Sequence, residues 1–359
     1  MKRFTKKILS IAVMGFLAAC FCSSLPAHPA GQDQRTITDS LSRTLTIPAN
    51  VKRVLSLQSE ITRLIVALGA AESLVGIDYF LRTNDRLFRI IYPLETRLPL
   101  VSMADYNVNM ETLIRLNPDI IFGAPEDRQV CESLQAKIKV PVVALASMGR
   151  FDRLLEETRL LGDILNRKER ADELTTYFKE IIAGIQNIVL AEPGAKKPRV
   201  YLTFYGGLNR TPVFYEPVNA AGGINLAQNL LPSSLGVDKT VVDVEQIIKW
   251  NPDFILIHGN YPPRERIVTV ENVLRDPRLA AGAAVKNKKV FYTFGFWNWW
   301  DMGQVLVESL YLAKLFYPDK FAGVHIDKEG NKIFKKIYGV DSLYSSLSKF
   351  LKCDEWAHE

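Results

Sequence analysis

The chain of 359 residues is poor in the residues that build metal cages and disulfide frameworks: it has four histidines and four cysteines. Bare zinc or manganese capture needs several histidine and carboxylate ligands converging on one ion. His28 lies in a Pro/Ser/Ala-rich stretch, His325 and His358 lie in the tail, and only His258 closes an expected strand. No resident metal or cofactor is therefore expected. The cysteines match no zinc or redox spacing, and a Cys131–Cys353 pairing rests on nothing but an oxidising compartment. No apolar run approaches the roughly 20 residues that cross a bilayer. No G-x-G-x-x-G follows a strand, and no Walker loop or Ser-His-Asp set can be placed, so no enzymatic function is nominated. The charge excess is small too. Of the formal +6, Lys2, Arg3, Lys6 and Lys7 supply four, and without them about +2 remains, too little to argue for nucleic acid.

Those four cations open an export signal: a basic start, an apolar run from Ile8 to Ala19, then Leu17-Ala18-Ala19-Cys20. Residues 1–20 are expected to form the export signal, cleaved so that Cys20 is lipidated as the new N-terminus and the chain meets the membrane only through this anchor. Ordinary cleavage near Ser24 or Ala30, releasing a soluble protein, is the alternative. Residues 21–34 read as a tether.

Beyond the tether, TITDSLSRTLTIP alternates around a turn as a small hairpin would. VKRVLSL, SEITRLIVALGA and SLVGID then read strand, helix, strand, the unit that builds parallel sheets. ETLIRLNPDIIF begins at Glu111, and EQIIKWNPDFIL repeats it from Glu245, with six positions identical and an offset of 134 residues. In each, Asn-Pro forces a switch from helix to strand. Between the copies, residues 151–192 carry helical stripes, ending in one helix from about Arg167 to Glu192 that would span roughly 35 Å. A second set of strands follows, RVYLTFY, FILIHG and KKVFYTF, with AAGGINLAQNL expected as a helix. The expected organisation is an N-terminal α/β lobe over 35–150, the helical linker, a C-terminal α/β lobe over 193–322, and a helical extension over 323–359 packed on the C-terminal lobe.

Taken in order, these blocks, together with the closing LAKLFYPDKF, resemble the periplasmic substrate-binding proteins of ABC importers for iron chelates, haem and cobalamin, over about Thr36 to Phe321. The resemblance implies an α/β fold of two Rossmann-like lobes joined by a single long α-helix, with ligand held in the cleft between them. It implies a monomer in the periplasm or at the outer face of the cytoplasmic membrane that serves an ABC permease dimer, and acidic residues on each lobe, Glu111 and Glu245, that dock into arginine pockets of the two permease subunits. A carboxylate in a first helical turn is also favoured by the helix dipole alone.

Ligands of open α/β sheets bind beyond the carboxyl ends of the strands. Those ends offer Tyr79, Tyr205, Asn209, Arg210, Tyr215 and His258, with Arg82 and Arg264 in neighbouring loops, and the aromatic run FGFWNWW carrying Trp297, Trp299 and Trp300. Aromatic rings mostly serve cores, but at a strand end some of them should wall the cleft. A flat aromatic wall favours a metal chelate; a small sealed cleft of arginine and backbone amides would instead take a bare oxyanion such as molybdate.

Overall fold

The computed structural model describes residues 33–351 apart from 103–107, 124–127, 146, 148, 192–193, 195, 204–206, 232–238, 260–266 and 295–299. Cys20 and the signal lie outside the described residues. The expected hairpin forms from β1 (Gln34–Thr38) and β2 (Thr44–Pro48), antiparallel, with Gln34 already in the strand and no longer in the tether. Asp39 locks the turn: its carboxylate accepts from the Leu41 and Arg43 amides and pairs with the buried Arg43 guanidinium.

The N-terminal lobe continues through β3 (Val54–Ser56), α1 (Ser59–Ala67), β4 (Leu74–Gly76), α2 (Tyr79–Thr83), α3 (Arg86–Ile91), α4 (Met110–Leu116), β5 (Ile120–Gly123), α5 (Arg128–Ile138) and β6 (Val142–Ala144). Its sheet has the order β4-β3-β5-β6, all parallel. The linker is α6 (Phe151–Ile164) and α7 (Lys168–Val189); the 22 residues of α7 span roughly 33 Å. Then come β7 (Arg199–Thr203), β8 (Arg210–Pro212), α8 (Glu216–Ala220), β9 (Ile224–Asn225), β10 (Lys239–Val241), α9 (Val244–Trp250), β11 (Phe254–His258), α10 (Val270–Leu274), α11 (Ala283–Lys286), β12 (Val290–Thr293) and α12 (Met302–Phe316). This second sheet has the order β9-β7-β11-β12, again all parallel.

The two orders match strand for strand, and the repeated segments occupy equivalent places. Phe122 in β5 lies between Ser56 and Val143, whereas Leu256 in β11 lies between Leu202 and Phe291. Both α4 and α9 have seven residues, an Asn or Asp side chain capping the first turn (Asn109, Asp243), and a left-handed asparagine ending the last (Asn117, Asn251). Asparagine tolerates that conformation, and the following proline cannot continue a helix.

One expected element is different. AAGGINLAQNL is not a helix: α8 stops at Ala220, Gly222 turns with φ +81°, and Ile224–Asn225 pairs in parallel with Arg199 and Val200. A Cβ on Gly222 would sit 2.1 Å from Val189 of α7, so glycine is required where α8 turns under the rod. The tail forms α13 (Ile326–Tyr338) and α14 (Leu343–Leu351). It packs on α12 as expected but also reaches the N-terminal lobe, with α13 against α1 and α14 against α3. One hydrophobic core runs without a break from Val54 and Ile65 through Leu161, Leu174 and Phe178 of the linker to Val200 and Val307. The lobes are thereby joined through the rod by packed apolar side chains.

Candidate functional site

The strand ends of both sheets converge on the start of the linker. Gly149, with φ +80°, lies so close to the Phe214 carbonyl that a Cβ would clash at 2.4 Å. The Gly149 carbonyl accepts from the Glu216 amide at 3.0 Å, and the Glu216 carboxylate accepts in return from the Phe151 amide. These reciprocal bonds stitch the exit of the first lobe to the second at backbone level.

Aromatic rings fill the same junction. Trp300, 1% exposed, stacks on Phe151 with ring centres 6.1 Å apart and lies 6.4 Å from Tyr215, also 1% exposed; Phe151 in turn meets Phe178 edge-on at 4.9 Å. Burial, with the Glu308 carboxylate nearby, pushes the Tyr215 phenol well above its usual range, so it stays neutral. Trp300 and Tyr215 are brought together, as packing that holds the cleft's base.

Below them sits a small cavity lined by Glu60, Ile61, Leu64, Ala67, Ser147, Leu154, Trp300, Asp301, Met302 and Tyr338, with room for about 10 Å³, one water at most. It joins both sheets: Glu60 and Ser147 follow β3 and β6, Trp300 and Asp301 follow β12, and Tyr338 comes from the tail. Beside it the fully buried Arg63 guanidinium pairs with Asp85 and, at 3.2 Å, with Asp301. Each of these carboxylates also caps a helix, Asp85 accepting from the Phe88 amide and Asp301 from the Gln304 amide. A single cation thus ties α1 and α3 of one lobe to α12 of the other.

Burial is the largest influence on the acids around it. It lifts Glu60 to about 7 and Asp78 to about 6, and raises Asp85 and Asp301, against the pull of Arg63 on Glu60, Asp85 and Asp301. The Tyr338 phenol is raised as well, by burial and then by Asp301. Sequence reasoning missed this group. The available signal was an arginine inside the apolar helix SEITRLIVA, at a position that a surface cation would avoid.

Among the described residues, the other expected ligand residues stand on α2, at the start of β8 and at the end of β11. Tyr79, half-buried, opens α2, and its amide donates to Ser102 Oγ at 2.9 Å. Arg82 gives its guanidinium to the backbone carbonyls of Glu95 and Leu98, holding the turn after α3. Asn209 and Arg210 are exposed at the start of β8. His258 ends β11 at 5% exposure. Tyr205, Arg264, Trp297 and Trp299 lie outside the described residues. Glu111 and Glu245 are exposed, and Arg278 lies within electrostatic reach of Glu245.

A second, open hollow of about 540 Å³ lies between α7 and α8, lined by Phe151, Gln186, Phe214, Tyr215, Glu216, Asn219, Gln228 and neighbours. Among the described residues no group of three or more His, Cys, Asp and Glu side chains could hold a metal ion, and no helix is long and apolar enough to cross a membrane.

Comparison with known proteins adds a family to this geometry. Residues 54–294 match the model for the family described as periplasmic binding protein. The molybdate-binding protein MolA of Haemophilus influenzae is 28% identical over 90% of this chain and 95% of its own length. A solved structure of MolA bound to molybdate superimposes with a TM-score of 0.70 at 23% identity, covering 86% of this chain and 98% of that one. A cobalamin-binding protein of Halobacterium salinarum is 22% identical over 70% of this chain and 68% of its own.

Proposed function

We propose, from the premise that this chain belongs to the periplasmic binding protein family, that it captures a small tetrahedral oxyanion of the molybdate class and hands it to its permease. Its coarser role is that of the substrate-binding component of an ABC transporter. The observation that carries the ligand class is the likeness to MolA, which runs through nine-tenths of this chain and nearly all of the relative. The aromatic run alone favoured a chelate; the relative's ligand reverses that weighting.

Arg210, exposed at the start of β8, is the cation we assign to the anion, together with backbone amides of the adjoining strand ends. Glu111 and Glu245 serve as the docking carboxylates, and Cys20 as the lipid anchor that keeps the monomer near its permease. A chelate remains the second reading, because Phe294 and Trp300 flank the aromatic run that would wall a wider cleft, and both are core residues that fix where that run begins and ends.

Calorimetric titration of the mature protein with molybdate, cobalamin, haem and a ferric siderophore tests the choice. Saturable one-to-one heat with molybdate alone is expected, and weakening by Arg210→Ala of about tenfold or more. Heat with one of the chelates and none with molybdate would replace the oxyanion with that chelate.

A further inference from the structure

Nine large hydrophobic side chains stand exposed among the described residues. Isolated ones need no explanation. Two of them do, because they occupy the same place in the two repeats: Ile114 at 48% exposure and Ile248 at 47%, 134 residues apart, as Glu111 and Glu245 are. No other two of the nine are related by that offset.

In each helix the isoleucine follows the glutamate by three residues, which places both on one face, about a turn apart. Caps and stops leave no local task for either. The first turns are already capped by Asn109 and Asp243, and the last turns are closed by Asn117 and Asn251. The inward faces are satisfied by Leu113 and Ile247, buried to 0% and 1%. Each helix runs back antiparallel to the strand it enters, so its first turn lies at the level of the strands' carboxyl ends, where the cleft opens.

We propose that Ile114 and Ile248 are the apolar halves of two equivalent docking patches, each an exposed carboxylate with an isoleucine beside it, that seat on the two subunits of the permease. This rests on the docking role assigned to Glu111 and Glu245, and extends it. A partner with two-fold symmetry presents the same surface twice, and it selects for the same pair of side chains on both lobes. The carboxylate orients the contact from a distance; the isoleucine contributes affinity only once water is expelled, which slows release. Arg115 and Lys249, next in each helix and also exposed, keep the patches from being uniformly acidic.

The test is binding of the full mature protein to its ABC permease dimer in nanodiscs, at about 50 and 500 mM salt. Ile114→Gln and Ile248→Gln are each expected to weaken the complex about tenfold, by faster release, equally at both salt concentrations, with melting temperature and molybdate heat as in the parent. Glu111→Ala with Glu245→Ala should weaken it chiefly at low salt, by slower association. If the glutamate pair weakens binding and the isoleucine pair does not, the apolar patches are wrong and the docking carboxylates stand. If the glutamate pair has no effect either, the docking assignment itself fails.

Discussion

Glu60 makes the stability of this protein depend on pH in a direction opposite to that of an ordinary surface carboxylate. It sits in the first turn of α1 against the small cavity between the sheets, facing Arg63, Asp78, Asp85, Asp301 and Tyr338. Burial raises its carboxyl from 4.5 to about 7, and this is the net result after attraction by Arg63. The fold therefore favours the neutral acid. Its contribution to stability is complete below the unfolded value of 4.5 and is lost as pH rises through about 7. Two and a half units at 1.36 kcal/mol each come to about 3 kcal/mol by pH 8, against about 1 kcal/mol at pH 5. Glu60→Gln keeps the shape and removes the titration. In a chain of this size the variant should melt about 4 °C above the parent at pH 8 and within about 1 °C of it at pH 5. Thermal unfolding by circular dichroism from pH 5 to pH 8 measures the gap. Parallel curves for parent and variant across that range would mean the carboxyl ionises as easily in the fold as in the unfolded chain, and the account of the cavity would be wrong.

Three further outcomes follow from the same packing. Arg63→Met leaves Asp85 and Asp301 buried without their shared cation, and urea unfolding should show a loss of about 3–5 kcal/mol; a loss below about 1 kcal/mol would mean that water already reaches the group. Gly222→Ala, forced into φ +81° with its Cβ 2.1 Å from Val189, should cost about 2–4 kcal/mol, whereas Gly69→Ala, at φ +71° in open space, should cost only about 1 kcal/mol; equal losses at the two sites would remove the argument from contact. X-ray scattering profiles with and without molybdate should nearly superimpose, because the lobes are bound through one rod, the Gly149–Glu216–Phe151 stitch and the Arg63 pairs; a compaction of more than about 1 Å in radius of gyration would contradict it.

What the sequence made legible was whatever is written in local rules and repeated. Asn-Pro-Asp after a short amphipathic helix dictates helix, stop and buried strand without reference to the rest of the chain, and its second occurrence discloses a second sheet of the same order. The rod was legible because its apolar stripe persists over six turns. AAGGINLAQNL misled because Ala, Leu and Gln carry helix propensity, while the deciding contact, Val189 of a different element against Gly222, is 33 residues distant. The tail misled in part for the same reason. Its amphipathic face was visible, but the carbonyls of Lys336 and Ile337 accept from Arg170 on the rod, and Tyr338 sits against Arg63 and Asp301, contacts that no local pattern encodes.

The site divides along the same line. Residues at strand ends could be nominated from sequence, since parallel sheets present ligands there, and Tyr215 and Trp300 do meet at one junction. Their burial could not be foreseen, because an aromatic residue after a strand serves cleft wall and core equally well until its neighbours are known. Arg82 has a structural task that the sequence did not disclose: one guanidinium nitrogen donates to two backbone carbonyls of the turn after α3. Glu111 and Glu245 differ from all of these in being identified by duplication. A core residue kept alike in both copies, as Ile121 and Ile255 are, is explained by the equivalent sheet it packs in. A residue kept alike at both places and exposed, as Ile114 and Ile248 are, has no packed neighbour to explain it, and the docking proposal supplies a partner that is itself the same twice. That logic selects the isoleucines with the glutamates, and it makes the pair, more than either side chain, the unit that a permease would read.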